Sequence, residues 1–64
     1  MWEYFDKYKS WYWEEDDMII SICPMKNSPK FEVTVAFGAN VLDFKVVKTL
    51  EEGKKWAKKN YIDS

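Results

Sequence analysis

Histidine and arginine do not occur in this 64-residue chain, cysteine occurs once, and glycine and proline occur twice each. Each shortage closes a route. Without histidine the usual general base is missing, and the common zinc-ligand sets lose a member. Without arginine no planar guanidinium can clamp a phosphate or carboxylate at two points. Cys23 has neither a second cysteine to bond nor a histidine to activate it, so it reads as a small apolar residue at a strand end. Gly38 and Gly53 stand alone, which excludes a glycine-rich phosphate loop. Long apolar runs are missing too: stretches such as Val35-Ala36-Phe37 fall far short of the ~20 residues a membrane-spanning helix requires. Glu3 and Asp6 occupy the region where a secretory signal would be cationic. The expectation is a cytoplasmic, non-enzymatic protein with no catalytic residues, no cofactor, no metal and no membrane association.

Aromatic side chains are what the chain has in excess: four Trp, four Tyr and four Phe, 19% of its residues. Residues 1–64 make one domain, and a chain of this size buries only about 60% of its unfolded surface. With no disulfide or metal to staple it, the aromatics must supply either a dense core or a contact with another molecule, a second copy of the chain included. Charge is nearly balanced at −1. Residues 1–32 carry seven acids and four lysines, and residues 33–64 carry four acids and six lysines, which divides the chain into halves of −3 and +2. No strong global field follows from that. Lysine as the sole cation fits an AT-rich genome, or a phage or plasmid living in one.

The first twelve residues fit an amphipathic helix. Met1, Tyr4, Phe5, Tyr8, Trp11 and Tyr12 share one stripe, with Glu3, Asp6, Lys7 and Ser10 opposite. A strand over Tyr8–Trp13 that turns back through Glu14–Asp17 is the alternative, since aromatics favour sheets. Three strands follow. Met18–Cys23 stops at Pro24, and Pro24–Pro29 is a loop. Phe31–Phe37 alternates, with Phe31, Val33, Val35 and Phe37 on one face. Gly38-Ala39-Asn40 turns the chain into Val41–Lys48, whose apolar face is Leu42, Phe44 and Val46. Matching the two apolar faces sets Phe37, Val35 and Val33 beside Leu42, Phe44 and Val46. Ser21, Cys23, Glu32, Thr34, Ala36, Asp43 and Lys45 are then left to the solvent face. A last helix opens at Thr49, with Glu52 completing a capping box and Leu50, Gly53, Trp56, Ala57 and Tyr61 inward. Gly53 on that inner face implies a close approach to the sheet.

The expected fold class is therefore α+β, a small single domain of order αβββα, with a three-stranded antiparallel meander and both helices on one face. The alternative is ββββα. The αβββα order resembles the double-stranded RNA-binding domain and its relatives, including HicB-type antitoxins, and the segment from Ser28 to Asn60 carries the likeness. That family opens its last helix with a Lys-Lys-x-Ala-Lys cluster aimed at phosphates. Here Lys54-Lys55-Trp56-Ala57-Lys58 begins five residues past Thr49, Glu51 and Glu52 occupy the first turn, and the family's loop histidine has no counterpart.

Three groups are candidates for function. Trp2 and Trp13 lie off the helical stripe on a shared flank and are candidate anchors for a protein partner; equally, Trp13 could lie beyond the helix and pack at the sheet edge while Trp2 frays with the terminus. Glu14, Glu15, Asp16 and Asp17 could add charge complementarity, and the plainer reading is a solvated connection. The run lacks the alternating oxygen ladder of a calcium loop. Lys54, Lys55, Lys58 and Lys59 could follow a nucleic-acid backbone, or simply form the solvated end of a helix whose dipole favours cations there. The leading expectation is a non-catalytic protein-interaction module, a phage- or plasmid-encoded modulator of a host factor. A nucleic-acid-binding module using the last helix is the alternative.

Overall fold

The computed structural model describes residues 1–63. Five strands run in sequence order as one antiparallel meander: β1 (Glu3–Phe5), β2 (Ser10–Glu15), β3 (Met18–Pro24), β4 (Phe31–Phe37) and β5 (Asn40–Val47). One helix, α1 (Leu50–Ala57), follows and passes into a single π turn, Lys58–Ile62. The fold is α+β, a compact sheet with one C-terminal helix.

The amino-terminal helix does not form. Residues 3–15 are instead a hairpin in which Glu3, Tyr4 and Phe5 pair with Tyr12, Trp11 and Ser10. The turn over Asp6–Lys9 contains no glycine, and Lys9 supplies the left-handed residue at φ 53°. Cross-strand ring contacts hold the hairpin: Tyr4 lies 5.0 Å from Trp11 and Phe5 lies 5.2 Å from Tyr12. The αβββα order and its pair of helices thus give way to five strands and one helix. The strand reading of residues 8–13 was the sounder alternative, and ββββα lacks only β1.

The core lies between the helix and the central strands. Met18, Ile20, Ile22, Val33, Val35, Val47 and Ala57 are buried, with Trp2, Trp11, Trp13, Phe31 and Trp56 packed around them. Thr49 caps α1 by accepting the Glu52 N–H at 3.1 Å, and Glu52 Oε1 accepts the Lys48 N–H at 2.8 Å. Gly53 is the point of closest approach, where an added Cβ would stand 3.0 Å from Val33 and 3.2 Å from Val47.

The β4–β5 register departs from the one the apolar pattern implied. Phe37 pairs with Asn40 and Ala36 with Val41, but Val35 pairs with Asp43, so Leu42 has no partner. This bulge moves every later residue of β5 to the opposite face. Asp43 and Lys45 fall on the helix side, beside Val35 and Val33, while Phe44 and Val46 lie beside Thr34 and Glu32 on the far side. The faces expected for Asp43 and Lys45 and for Phe44 and Val46 are exchanged, although Lys45 stays exposed on the helix side and Asp43 is half-buried. Asp43 is not wasted there: Oδ2 accepts the Tyr61 hydroxyl at 2.7 Å and Oδ1 the Phe44 N–H at 2.8 Å.

Candidate docking face

The strand pairings assign every paired strand residue to one of two faces. On the helix-free face, a middle row runs Glu3, Tyr12, Ser21, Thr34, Phe44, and a second runs Glu14, Ile19, Ala36, Val41. Phe5, Cys23, Glu32 and Val46 complete it toward the opposite end. The central strands carry mostly small side chains there, and the outer strands carry large ones. Ser21, Cys23, Thr34 and Ala36 are half-buried with no element above them. Phe5, Ile19, Phe44 and Val46 keep 45%, 40%, 56% and 40% of their surface exposed. The result is a shallow trough along the strands, walled by Phe5 and Tyr12 on one side and by Phe44 and Val46 on the other. A depression of about 300 Å³ opens among Glu3, Phe5, Tyr8, Tyr12, Glu14 and Ile19.

Among its strand residues the charge on this face has one sign, and Lys7, in the β1–β2 turn, lies over the Tyr8 ring. Glu3, Glu14 and Glu32 lie on it, whereas Lys45, the sole lysine within the strands, is on the helix side. An apolar patch of this kind on a small chain marks a contact surface more often than a solvent-facing one.

Trp2 and Trp13 do come together, at 5.6 Å between ring centroids and nearly edge to face. They meet on the helix side of the sheet and pack against the core rather than forming a helical flank. The indole N–H of Trp13 is buried with no acceptor among the described residues. The acidic run divides: Glu14 is on the helix-free face, Glu15 ends β2, and Asp16 and Asp17 form the two-residue turn into β3. Asp16 takes the left-handed conformation at φ 53°, a role that aspartate fills better than most residues. Among the described residues, no three Cys, Asp or Glu side chains group so as to hold a metal ion.

The lysines of the last helix are partly engaged. Lys54 Nζ lies 4.2 Å above the Trp11 ring, and Lys58 reaches Asp63 at 4.0 Å. Lys55 and Lys59 are exposed. The π turn brings Tyr61 to 5.6 Å from Trp56, five residues back, and within reach of Asp43. The hydrogen bond to the Asp43 carboxylate, then desolvation and the nearby negative charge, hold the Tyr61 phenol above the usual tyrosine range.

Phe44 and Val46 were not legible as surface residues, since only the bulge at Leu42 puts them there. Tyr12 and Phe5 were assigned to a helical stripe. Among the described residues no helix is long and apolar enough to cross a membrane. In comparison with known proteins, the chain matches no family model, no curated protein and no solved structure.

Proposed function

We propose that the chain is a non-catalytic protein-interaction module that docks its partner on the helix-free face of the sheet. The observation that carries this reading is the exposure of Phe5, Ile19, Phe44 and Val46 on a single face. In a domain this small, leaving those side chains in water forgoes roughly 1 kcal/mol or more apiece if they are half-exposed, a large share of a stability of only about 5–15 kcal/mol. The anchors shift from Trp2 and Trp13, which support the core, to Phe5, Tyr12 and Phe44. Of the acidic run, Glu14 lies within the face, and Glu15, Asp16 and Asp17 border its end. The absence of histidine and arginine from the sequence supports a binding role over acid–base or phosphoryl chemistry.

A nucleic-acid contact through the last helix has less behind it. Lys54 is stacked on Trp11, which leaves Lys55, Lys58 and Lys59 exposed, with Lys58 at 4.0 Å from Asp63. Three such charges would neutralise few phosphates.

The test is capture from host lysate by the tagged chain and by its Phe5→Ser/Phe44→Ser variant, with and without nuclease. Phe5→Ser also removes the Phe5–Tyr12 ring contact, so a modest fall in melting temperature is expected, and capture is compared at a temperature where circular dichroism shows both proteins folded. A protein retained by the parent, lost by the variant and indifferent to nuclease is the expected result. Capture that survives the double substitution, or that vanishes with nuclease, would overturn the assignment.

A further inference from the structure

Resting on that docking face, we infer that its occupant is a cationic amphipathic α-helix of a partner protein, laid along the trough parallel to the strands. Three features of the face lead to this class of partner.

The first is dimension. From β2 to β5 the trough spans three strand spacings, ~14 Å at about 4.8 Å each. An α-helix with its side chains is ~10–12 Å across, so it fits between the Tyr12 and Phe44 walls. Small residues beneath, at Ser21, Thr34 and Ala36, let the helix approach closely. Strands of seven residues give a trough of roughly 23 Å, the length of about fifteen helical residues or four turns. An added β-strand would not use this geometry, because it would pair at the β1 or β5 edge and leave the trough empty.

The second is polarity of composition. Apolar walls with carboxylates between them suit a segment whose inward stripe is apolar and whose flanks are basic. Glu3 and Glu14 stand beside Tyr12 and Ile19, and Glu32 stands beside Val46. Each carboxylate is therefore next to an apolar anchor, where a lysine or arginine flanking an apolar side chain of the partner would reach it.

The third is what the charges exclude. A second copy docked face to face would bring six carboxylates into one contact, three from each face, and no lysine from the strands of either. Like charges set against one another in this way oppose association. A nucleic acid is excluded from this face on the same ground.

The decisive measurement is titration of the isotope-labelled full chain with synthetic peptides, followed by amide shifts in NMR. The probes are an eighteen-residue Leu/Lys peptide of helical period, a Leu/Glu peptide of the same pattern, and a Val/Lys peptide of strand period. The Leu/Lys helix should bind saturably and shift Tyr12, Ser21, Thr34 and Phe44. Glu3→Gln/Glu14→Gln/Glu32→Gln should weaken it tenfold or more. The control Glu15→Gln/Asp16→Asn/Asp17→Asn removes the same net charge from the end of the sheet and should change affinity less than threefold. Equal losses in the two variants would reduce the binding to bulk charge and overturn the inference. So would shifts confined to the helix side, equal binding of the Leu/Glu peptide, preferential binding of the strand-period peptide, or no shift at millimolar peptide. If the peptides fail while lysate capture still depends on Phe5 and Phe44, the docking face stands and the helical occupant falls. If both fail, so does the face.

Discussion

Gly53→Ala puts the approach of the helix to the sheet to the test, because two effects of similar size oppose each other. In an exposed helix interior the change would add stability, roughly 1 kcal/mol from helix propensity. At position 53 the new methyl would meet Val33 Cγ2 at 3.0 Å, Val47 Cγ2 at 3.2 Å and Ile22 Cδ1 at 3.4 Å. Those three side chains are fully or almost fully buried, and the two valines have short, stiff branches that cannot swing aside. Overpacking of this kind costs typically about 1–3 kcal/mol, so clash should outweigh propensity. The expected net loss is about 1 kcal/mol, a fall of ~4–8 °C in Tm for a domain near this size. Thermal and urea unfolding followed by circular dichroism would measure it. Val33→Ala removes the nearest methyl, so Gly53→Ala introduced into that background should cost little or become stabilising. A double-mutant cycle reads the difference as the coupling between the helix and β4. Gly53→Ala that stabilises the parent outright would refute the close apposition, and with it the helix position that leaves the other face of the sheet bare.

Two further outcomes are expected. Trp2→Ala/Trp13→Ala should lower stability by roughly 2–4 kcal/mol, since both rings pack against the core, and an unchanged melt would return them to the surface as anchors. In a spectrophotometric titration, Tyr61 should ionise above the ordinary tyrosine range, and Asp43→Asn should bring it back down. Because its folded-state pKa is raised, the contact stabilises the fold at and below neutral pH and is lost as pH climbs beyond 10. Unfolding midpoints that stay level through strongly alkaline pH, or that drop equally in Asp43→Asn, would count against the Tyr61–Asp43 bond as the cause.

Much of the carboxy-terminal half could be read from sequence because local and long-range signals agreed there. Phe31–Phe37 alternates without interruption, Thr49 and Glu52 make a cap by local chemistry, and Gly53 falls on the buried side of the helix. The amino-terminal hairpin was obscured by its own turn. The four residues Asp6–Lys9 reset the strand phase, so that Tyr4 and Trp11 share a face despite opposite parity. Across that break the aromatics also satisfy a helical stripe, and no Asn-Gly or Asp-Gly signal marks either early turn. The exposed apolar face of the sheet was hidden for another reason. Alternation in β5 was visible, but nothing local distinguishes Leu42 as an extra residue, and matching apolar faces across the hairpin argues for the wrong register. The residues that look most like core are thereby the ones turned outward.

The unpaired Leu42 makes the exposed apolar face depend on strand register rather than on composition. With Leu42 kept and the bulge lost, β5 would set Leu42 beside Val35 and Phe44 beside Val33, drawing Phe44 and Val46 to the helix side and turning Asp43 and Lys45 outward. The same amino acids would then present a mixed-charge, water-compatible face. Deleting Leu42 would instead leave Asp43 beside Val35 and Phe44 beside Thr34, so the strand would straighten and the apolar face would persist. Two chains of identical composition could thus differ in what they offer a neighbour, through the seating of one residue that pairs with nothing.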